Sequence, residues 1–246
     1  MRKRVQPRSL IVIRKQQLTP HMLRVTLGGP DMFGFPEGHE SANCKLSLPS
    51  IGGGPVFRTY TIRAFDPDRR EVDIDFVLHR DHGRASSWAI EAQLGDRIEF
   101  RGPGKPKWIN HDADWYFFAG DMSALPAIGA NIERLPRIAK GYAVLEIIDY
   151  QDRQALGFPT GIEVDWVENV DPNTPNSLLL DRVVSKPWQP GRASVWVAGE
   201  TGTTRNLRRY FKQERAVDVA DLYASGYWQI GLTEDIHQRV KRQQGG

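Results

Sequence analysis

Residues 107–115, Lys-Trp-Ile-Asn-His-Asp-Ala-Asp-Trp (KWINHDADW), decide how this chain is read, because the hydrophobic period changes across them. Upstream, the short runs SLIVIR, HMLRVTL, CKLSLP, RTYTIRAF, EVDIDFVLH and DRIEFRGP are separated by turns such as GGPD, GGGP, DPDRR and GPGK. That is the pattern of short antiparallel strands. Only GRASSWAIEAQLG, residues 83–95, breaks it: Ala85, Trp88, Ala89 and Ala92 recur at helical spacing, and Gly95 stands where a helix C-cap is expected. The upstream half is therefore predicted to be an antiparallel β-barrel carrying one short helix. Downstream, WYFFAG, YAVLEIID, IEVDWVE, SVWVAG and DLYASGYW read as strands, and SALPAIGANIERLP, PNSLLLDRVV and TTRNLRRYFKQE as helices. Strands alternating with helices predict βαβ units and a parallel sheet. The expected organisation is one domain over residues 1–110 and a second over 111–246, with the junction near 108–114.

Length and composition set the bounds. At 246 residues the chain can bury a sizeable core, in one large domain or two small ones. Hydrophobic residues at 40% and charged residues at 26% are globular values that exclude a disordered or fibrous class. No segment approaches the roughly 20 apolar residues of a membrane-spanning helix. The N-terminal MRKRVQPRSLIVIRKQQ has an apolar run too short for a secretory signal, so a soluble, cytoplasmic protein without a membrane partner is expected. Cys44 is the single cysteine, which leaves no internal disulfide, thiolate zinc site or iron–sulfur cluster for one chain to build, and no metal site is expected. The net charge is +3, yet Arg69 and Arg70 stand among Asp66, Asp68 and Glu71 rather than in a stripe. Nucleic acid is therefore not an expected partner, whereas a basic cleft for an anionic small molecule is compatible with the balance.

In open α/β sheets, ligands bind beyond the carboxyl ends of the strands. Two turns there stand out. In FFAGDMSALPAIG, Gly120 ends the strand, Asp121 and Ser123 are candidate helix caps, and Ala124, Ala127 and Gly129 are small enough to let a ligand or strand approach. The full G-x-G-x-x-G pattern is missing, and a plain capped helix fits equally well. In VWVAGETGTTRNLRRYF, Gly199, Glu200 and Thr201 lie at the strand end, ahead of Gly202 and Thr203. There too an N-cap and a ligand turn are both open.

The upstream half carries a third candidate. FRTYTIRAFD, residues 57–66, gathers Arg58, Thr59, Tyr60, Thr61 and Arg63 in one run. A tyrosine can stack on a flat ring, a hydroxyl can hydrogen-bond that ring's edge, and an arginine offers a planar fork for phosphate. Such a set would hold a flavin and its pyrophosphate. The loop HRDHGRASSWA suits the same ligand: Gly83 permits a tight turn, and the amides of Ala85, Ser86 and Ser87 at a helix start would meet phosphate oxygens. An edge strand with solvated polar residues is the bland alternative, and the two features in one barrel favour the flavin.

Taken in order, RTYTIR, DIDFVLHRDHGRASSWAIEAQLGDRIEFRGPG, FFAGDMSALPAI, WVAGE and YASGYWQIG resemble the successive motifs of the siderophore-interacting proteins. These are FAD-dependent ferric-siderophore reductases within the ferredoxin–NADP reductase superfamily. The resemblance spans nearly the whole chain, and it implies a flavin-binding Greek-key β-barrel followed by a Rossmann-like α/β domain for a nicotinamide nucleotide. The family's R-x-Y-[ST] motif falls on Arg58, Tyr60 and Thr61, which implies pyrophosphate pairing, ring stacking and a hydrogen bond near the hydride-accepting nitrogen; Ile62 and Arg63 complete that cofactor-binding run. The segment after the sheet's histidine falls on His79, Gly83, Ala85 and Ser86, with Ser87 beside them, and implies contact with the FAD phosphates and adenosine. The G-D-x-x-A-L-P-A segment falls on Gly120, Asp121, Ala124, Leu125, Pro126 and Ala127, a floor for the nicotinamide nucleotide, with Glu200 at a second strand end. CKLSLP resembles an H-V-K-L strand, which makes Lys45 a substrate-side candidate, although Asn43 and Cys44 depart from its usual start. GYWQIG resembles G-Y-W-R-x-G, so Trp228 would cover part of the flavin site, while Gln229 stands where an arginine is common.

The implied activity is transfer of electrons from NAD(P)H through FAD to ferric iron in a siderophore. No dedicated general base is expected, because the flavin accepts a hydride and releases electrons singly. Two alternatives stay open at this point: a general flavin or quinone reductase of the same superfamily, and a non-catalytic siderophore-binding protein. The donor is open as well. Asp149 after YAVLEII suits an unphosphorylated ribose, Arg153 suits a 2′-phosphate, and a ferredoxin-like protein is a third choice. A monomer is expected.

Overall fold

The computed structural model describes residues 6–48, 54–78, 83–232 and 236, and the chain divides into two compact units between Trp108 and Ile109. The first unit contains β1 (Arg8–Thr19), β2 (Met22–Gly28), β3 (Asn43–Leu48), β4 (Val56–Thr61), β5 (Ala64–Asp66), β6 (Glu71–Val77), α1 (Arg84–Glu91) and β7 (Arg97–Arg101). The strands form one sheet in the order β4-β3-β7-β1-β2-β6-β5, antiparallel at every pairing. Its two outermost strands, β4 and β5, are consecutive in the chain and are joined only by Ile62 and Arg63. Three residue steps cannot span more than about 11 Å, so the two edges are drawn together and the sheet curls in a barrel-like manner around its apolar face.

The link is hydrogen-bonded on both sides. Ile62 N donates to Ala42 O at 2.8 Å and Ile62 O accepts from Ser41 N at 2.9 Å, while Arg63 N donates to Asp73 O of β6 at 2.9 Å. Inside the curl, Val72, Ile74 and Phe76 of β6 meet Leu10, Leu46 and Phe100 in one buried cluster. Alternation places them there, since every second residue of a strand shares a face. Ala85 and Ala89 of α1 join the same cluster, with Trp88 packed against it. The helix ends earlier than its sequence suggests: Ala92 is the C-cap, its N–H bonded to Trp88 O, and Gly95 at φ +90° instead shapes the turn into β7, with its N–H on Val12 O.

The second unit contains β8 (Trp115–Gly120), α2 (Leu125–Ile132), β9 (Lys140–Ile147), β10 (Gly161–Glu168), α3 (Leu178–Val184), β11 (Ala193–Glu200), α4 (Thr201–Arg209) and β12 (Leu222–Trp228). A single π-helical turn, Tyr210–Glu214, continues α4. The sheet order is β10-β9-β8-β11-β12, parallel throughout. The unbroken apolar runs fit this arrangement, because a parallel strand covered on both faces has no polar side. Every residue of β8 is buried, and Trp115 and Phe117 pack with Leu179 and Val183 of α3, Leu207 of α4 and Phe211 of the π-helical turn. Strand approach is close enough at one point to require glycine: a Cβ on Gly141 (φ +141°) would lie 1.9 Å from the Tyr116 carbonyl oxygen. The chain leaves β8 toward β9 and β10, then returns to the other side of β8 as β11. The carboxyl ends of β8 and β11 therefore flank the topological switch point, where such sheets bind ligands. Among the described residues, no helix is long and apolar enough to cross a membrane.

Candidate functional site

At the switch point of the second unit, Asp121 follows β8 and turns its carboxylate across to β11. Gly199 makes this possible. It adopts φ +138°, and a Cβ there would stand 2.4 Å from Asp121 Oδ2. With that space open, Asp121 Oδ2 accepts from Glu200 N at 2.7 Å and from the Trp228 indole Nε1 at 2.8 Å. Its Oδ1 accepts from Ser123 N at 2.9 Å and Ser123 Oγ at 2.5 Å. Burial pushes the carboxyl of Asp121 above the usual aspartate range, and these four hydrogen bonds oppose the shift without cancelling it.

Glu200 and Trp228 are held by the same elements. Glu200 is the N-cap of α4, its Oε2 accepting from Thr203 N at 2.7 Å. Thr201 Oγ1 donates to the Trp228 carbonyl at 2.7 Å, so the end of β12 is tied to the first turn of α4. From β9 comes a third acid, Glu146. It is 9% exposed, and Asn169 Nδ2, just past β10, donates to its Oε1 at 3.0 Å. Burial drives its carboxyl up to about 7, the Asn169 hydrogen bond opposes this, and the charges of Asp121 and Glu200 add to it. The carboxyl ends of β8, β9, β11 and β12 thus converge on three carboxyl groups and an indole. Among the described residues, no group of side chains is arranged to hold a metal ion.

The side-chain caps expected on α2 do not form. Asp121 and Ser123 do not cap α2, which begins at Leu125 with Ala124 at its N-cap and no side-chain cap; Asp121 closes the turn before it, because its carboxylate is drawn to the β11 turn. Leu125 and Pro126 are buried in a helix that is buried on all sides. Gly120 and Ala124 are in close approach, with the Cβ position of Gly120 only 2.7 Å from that of Ala124. Sequence reasoning missed Glu146 and Asn169. The usable signal was an acid inside the apolar run YAVLEIID.

In the first unit, the candidates lie on and beside β4, an end strand of the sheet order. Tyr60 is half-buried, its ring centroid 4.4 Å from that of Phe76, which in turn packs 5.7 Å from Trp88. Arg58, two residues earlier, shares that face and is half-buried, with Nη1 donating to Phe57 O at 3.0 Å. Thr61 and Arg63 are each 9% exposed, and Ile62 is fully buried with both of its backbone groups spent on the link between the sheet edges. The strand register pairs Leu46 with Arg58 and Cys44 with Tyr60, but Lys45 with Thr59 and Arg101. Lys45 therefore stands on the opposite face from Arg58 and Tyr60, the face of Thr59 and Thr61.

At the start of α1, Gly83 is the N-cap, and its carbonyl accepts from Ser86 Oγ at 2.9 Å and Ser87 N at 3.0 Å. The Ser87 amide is therefore not open to a ligand, because it already makes the first helical bond. Ala85 and Ser86 remain in the first turn, where N–H groups have no intrahelical acceptor. His79 lies outside the described residues. A half-buried aromatic ring, a guanidinium, a threonine hydroxyl and two helix-start amides make a donor set that fits a flavin dinucleotide.

Residues 113–231 match the family described as siderophore-interacting protein, and residues 52–107 match the siderophore-interacting FAD-binding domain. The chain is 34% identical to the ferric vibriobactin reductase ViuB of Vibrio cholerae, over 97% of this chain and 95% of that relative. It is 26% identical to an NADPH-dependent ferric-chelate reductase of Escherichia coli, over 90% of this chain and 92% of the other. Among solved structures, the siderophore-interacting protein SipS from Aeromonas hydrophila aligns with a TM-score of 0.87 at 33% identity, covering 97% of this chain and 98% of that one.

Proposed function

Since this chain belongs to the siderophore-interacting protein family, we propose that it is an FAD-dependent reductase that passes electrons from NAD(P)H to ferric iron in a siderophore and releases ferrous iron in the cytoplasm. The observation that carries this reading is the coincidence of the matched FAD-binding segment, residues 52–107, with the donor set on β4 and α1. Bound FAD supplies the conversion between a two-electron donor and a one-electron acceptor. Residues 1–110 take the role of flavin domain and residues 111–246 that of nicotinamide domain.

Within that assignment, Arg58 pairs with the pyrophosphate, Tyr60 offers its ring for stacking, and Thr61 presents a hydroxyl on the other face of the strand. The amides of Ala85 and Ser86 meet phosphate oxygens at the start of α1. Lys45, the neighbour of Arg101 across β3 and β7, lends positive charge that attracts an anionic ferric chelate, while Arg101 is paired with Glu99. In the second unit, Asp121 holds Glu200 and Trp228 in place at the switch point, so the nucleotide site is shaped by a rigid carboxylate and needs no base that moves. Reduction frees the metal because hard siderophore oxygens bind ferric iron far better than ferrous iron.

The test is an anaerobic absorption experiment on the FAD-loaded protein. NADPH or NADH should bleach the flavin band, and a ferric siderophore should restore it with ferrous iron appearing in a chelator trap. Restoration by quinone or free flavin but not by ferric chelates would replace the proposed acceptor. A protein that binds siderophore but takes up no FAD would remove the reductase reading.

A further inference from the structure

The carboxyl ends of the strands in the second unit carry Asp121, Glu146, Glu200 and Trp228. The amino ends form the opposite edge, where the chain enters β9 through residues 133–139, β11 after α3, and β12 after the π-helical turn. Helices that connect parallel strands run back against them, so the last residues of α3 and of the α4 segment reach this same edge.

Aliphatic side chains protrude there. Ile138 is 91% exposed, Val219 68% and Val184 43%, each on a different connection. Core packing uses their neighbours instead: Leu135 and Ala139 are buried on either side of Ile138, and Val217 is buried beside Val219. The starts of β9 and β12 are three strand spacings apart in the sheet order, about 14 Å, so Ile138 and Val219 are separate tips and not one apolar patch. Cations flank them. Arg137 precedes Ile138, Lys140 follows it, and Lys212 lies in the π-helical turn; all three are exposed, and none has an ion-pair partner among the described residues. Three acids of this edge are engaged: Asp114 accepts from Arg192 N at 2.7 Å, Asp218 from Ala220 N at 2.8 Å, and Asp221 holds the Arg192 guanidinium at 2.7 Å. Asp112, Glu133 and Glu214 are exposed, so cations alone give only weak attraction and the aliphatic tips must supply the rest.

Tips and cations together select the occupant. Nucleic acid rewards the cations but wants aromatic platforms, and the rings of the α4 segment, Tyr210 and Phe211, are buried. A protein partner wants a contiguous apolar centre, which tips on separate turns do not make. A fluid bilayer surface takes both features, because tips sink toward the acyl boundary wherever they stand and Lys and Arg meet lipid phosphates. We propose that the amino-end edge of the α/β unit docks on an anionic lipid bilayer, with Ile138 and Val219 entering the headgroup layer and Arg137, Lys140 and Lys212 paired with lipid phosphates. Docking at the surface needs no spanning helix, so the lack of a membrane-spanning segment in the sequence does not bear on it. The inference depends on neither the electron donor nor the acceptor.

Co-sedimentation of the FAD-loaded protein with vesicles of phosphatidylcholine alone, and of phosphatidylcholine mixed with phosphatidylglycerol, measures the docking. Partition onto the mixed vesicles should be about tenfold stronger or more, and should fall as salt is added. Arg137→Ala and Lys140→Ala should each weaken it about fivefold, the worth of one cation near an anionic surface. Ile138→Ser changes no charge and should weaken it about tenfold. These side chains are exposed, so the urea midpoint and the reduction of a soluble ferric chelate should stay as in the parent protein. No preference for the mixed vesicles, partition that Ile138→Ser leaves unchanged, or binding of duplex DNA as tight as that of the mixed vesicles at equal phosphate would overturn the proposal. A protein that docks but reduces no ferric chelate would keep this inference and lose the reductase reading.

Discussion

Replacing Glu146 by glutamine should stabilise the protein at neutral and higher pH while leaving its stability in acid unchanged. In the folded chain this carboxyl titrates at about 7 instead of its usual 4.5, chiefly because burial penalises the charged form; the Asn169 hydrogen bond works against the shift, and the charges of Asp121 and Glu200 work with it. A raised folded-state pKa means that the folded chain holds the proton more tightly than the unfolded one. The resulting stabilisation is complete below the unfolded pKa and is lost as pH rises through the folded value. Above that value, ionised Glu146 costs the fold roughly 3 kcal/mol relative to its neutral form. Glutamine copies the shape of the protonated acid, and its Oε1 can still accept from Asn169 Nδ2, now 3.0 Å from the glutamate oxygen. Urea unfolding of both proteins, followed by tryptophan fluorescence at pH values spanning about 4 to 8, isolates the effect of Glu146 and of its coupling to Asp121 and Glu200, because groups remote from it titrate alike and cancel in the difference. That difference should grow from near zero to roughly 3 kcal/mol across the window. Parallel curves would refute the reasoning, since ionisation of Glu146 would then be uncoupled from folding.

Gly199→Ala should cost about 3 kcal/mol or more, from a left-handed backbone position and from displaced charge-assisted hydrogen bonds of Asp121. The cost should shrink when the same change is made in an Asp121→Ala background, where the carboxylate 2.4 Å from the new Cβ is gone. Chemical unfolding of the four proteins measures the cycle, and equal costs in both backgrounds would place the clash elsewhere. Arg58→Ala should weaken FAD binding by about 1.5–3 kcal/mol, read from flavin released on dilution. Undiminished flavin retention would count against phosphate pairing by Arg58.

The change of period across KWINHDADW was legible because a two-residue period and a helical period are local properties, visible without any partner. The point at which the edges of the first sheet meet was not. RTYTIRAF alternates without interruption, and no glycine or proline marks the point where β4 ends at Thr61 and β5 begins at Ala64; the break exists because Ile62 hydrogen-bonds to Ser41 and Ala42 ahead of β3 while Arg63 hydrogen-bonds to Asp73 of β6. The same limit applies to Lys45. Its distance from Arg58 along the chain says nothing of the face it shares, since parity between β3 and β4 is set by register, and a one-residue slip would reverse it. At the switch point, Asp121 and Glu200 were legible as turn residues, and Glu200 does cap its helix. Asp121 caps nothing of its own because Gly199, seventy-eight residues away in sequence, opens the space that draws it across to Glu200 N and Trp228. Asp149 and Arg153 posed equal and opposite claims on the ribose as long as they were letters in a row. The 3-10 turn over Tyr150–Asp152 commits an oxygen of the acid to Gln151 N and stacks the arginine on Tyr150, contacts that neither letter announces. Residue type suffices where a side chain acts on its near neighbours, and fails where a backbone amide from another strand competes for it.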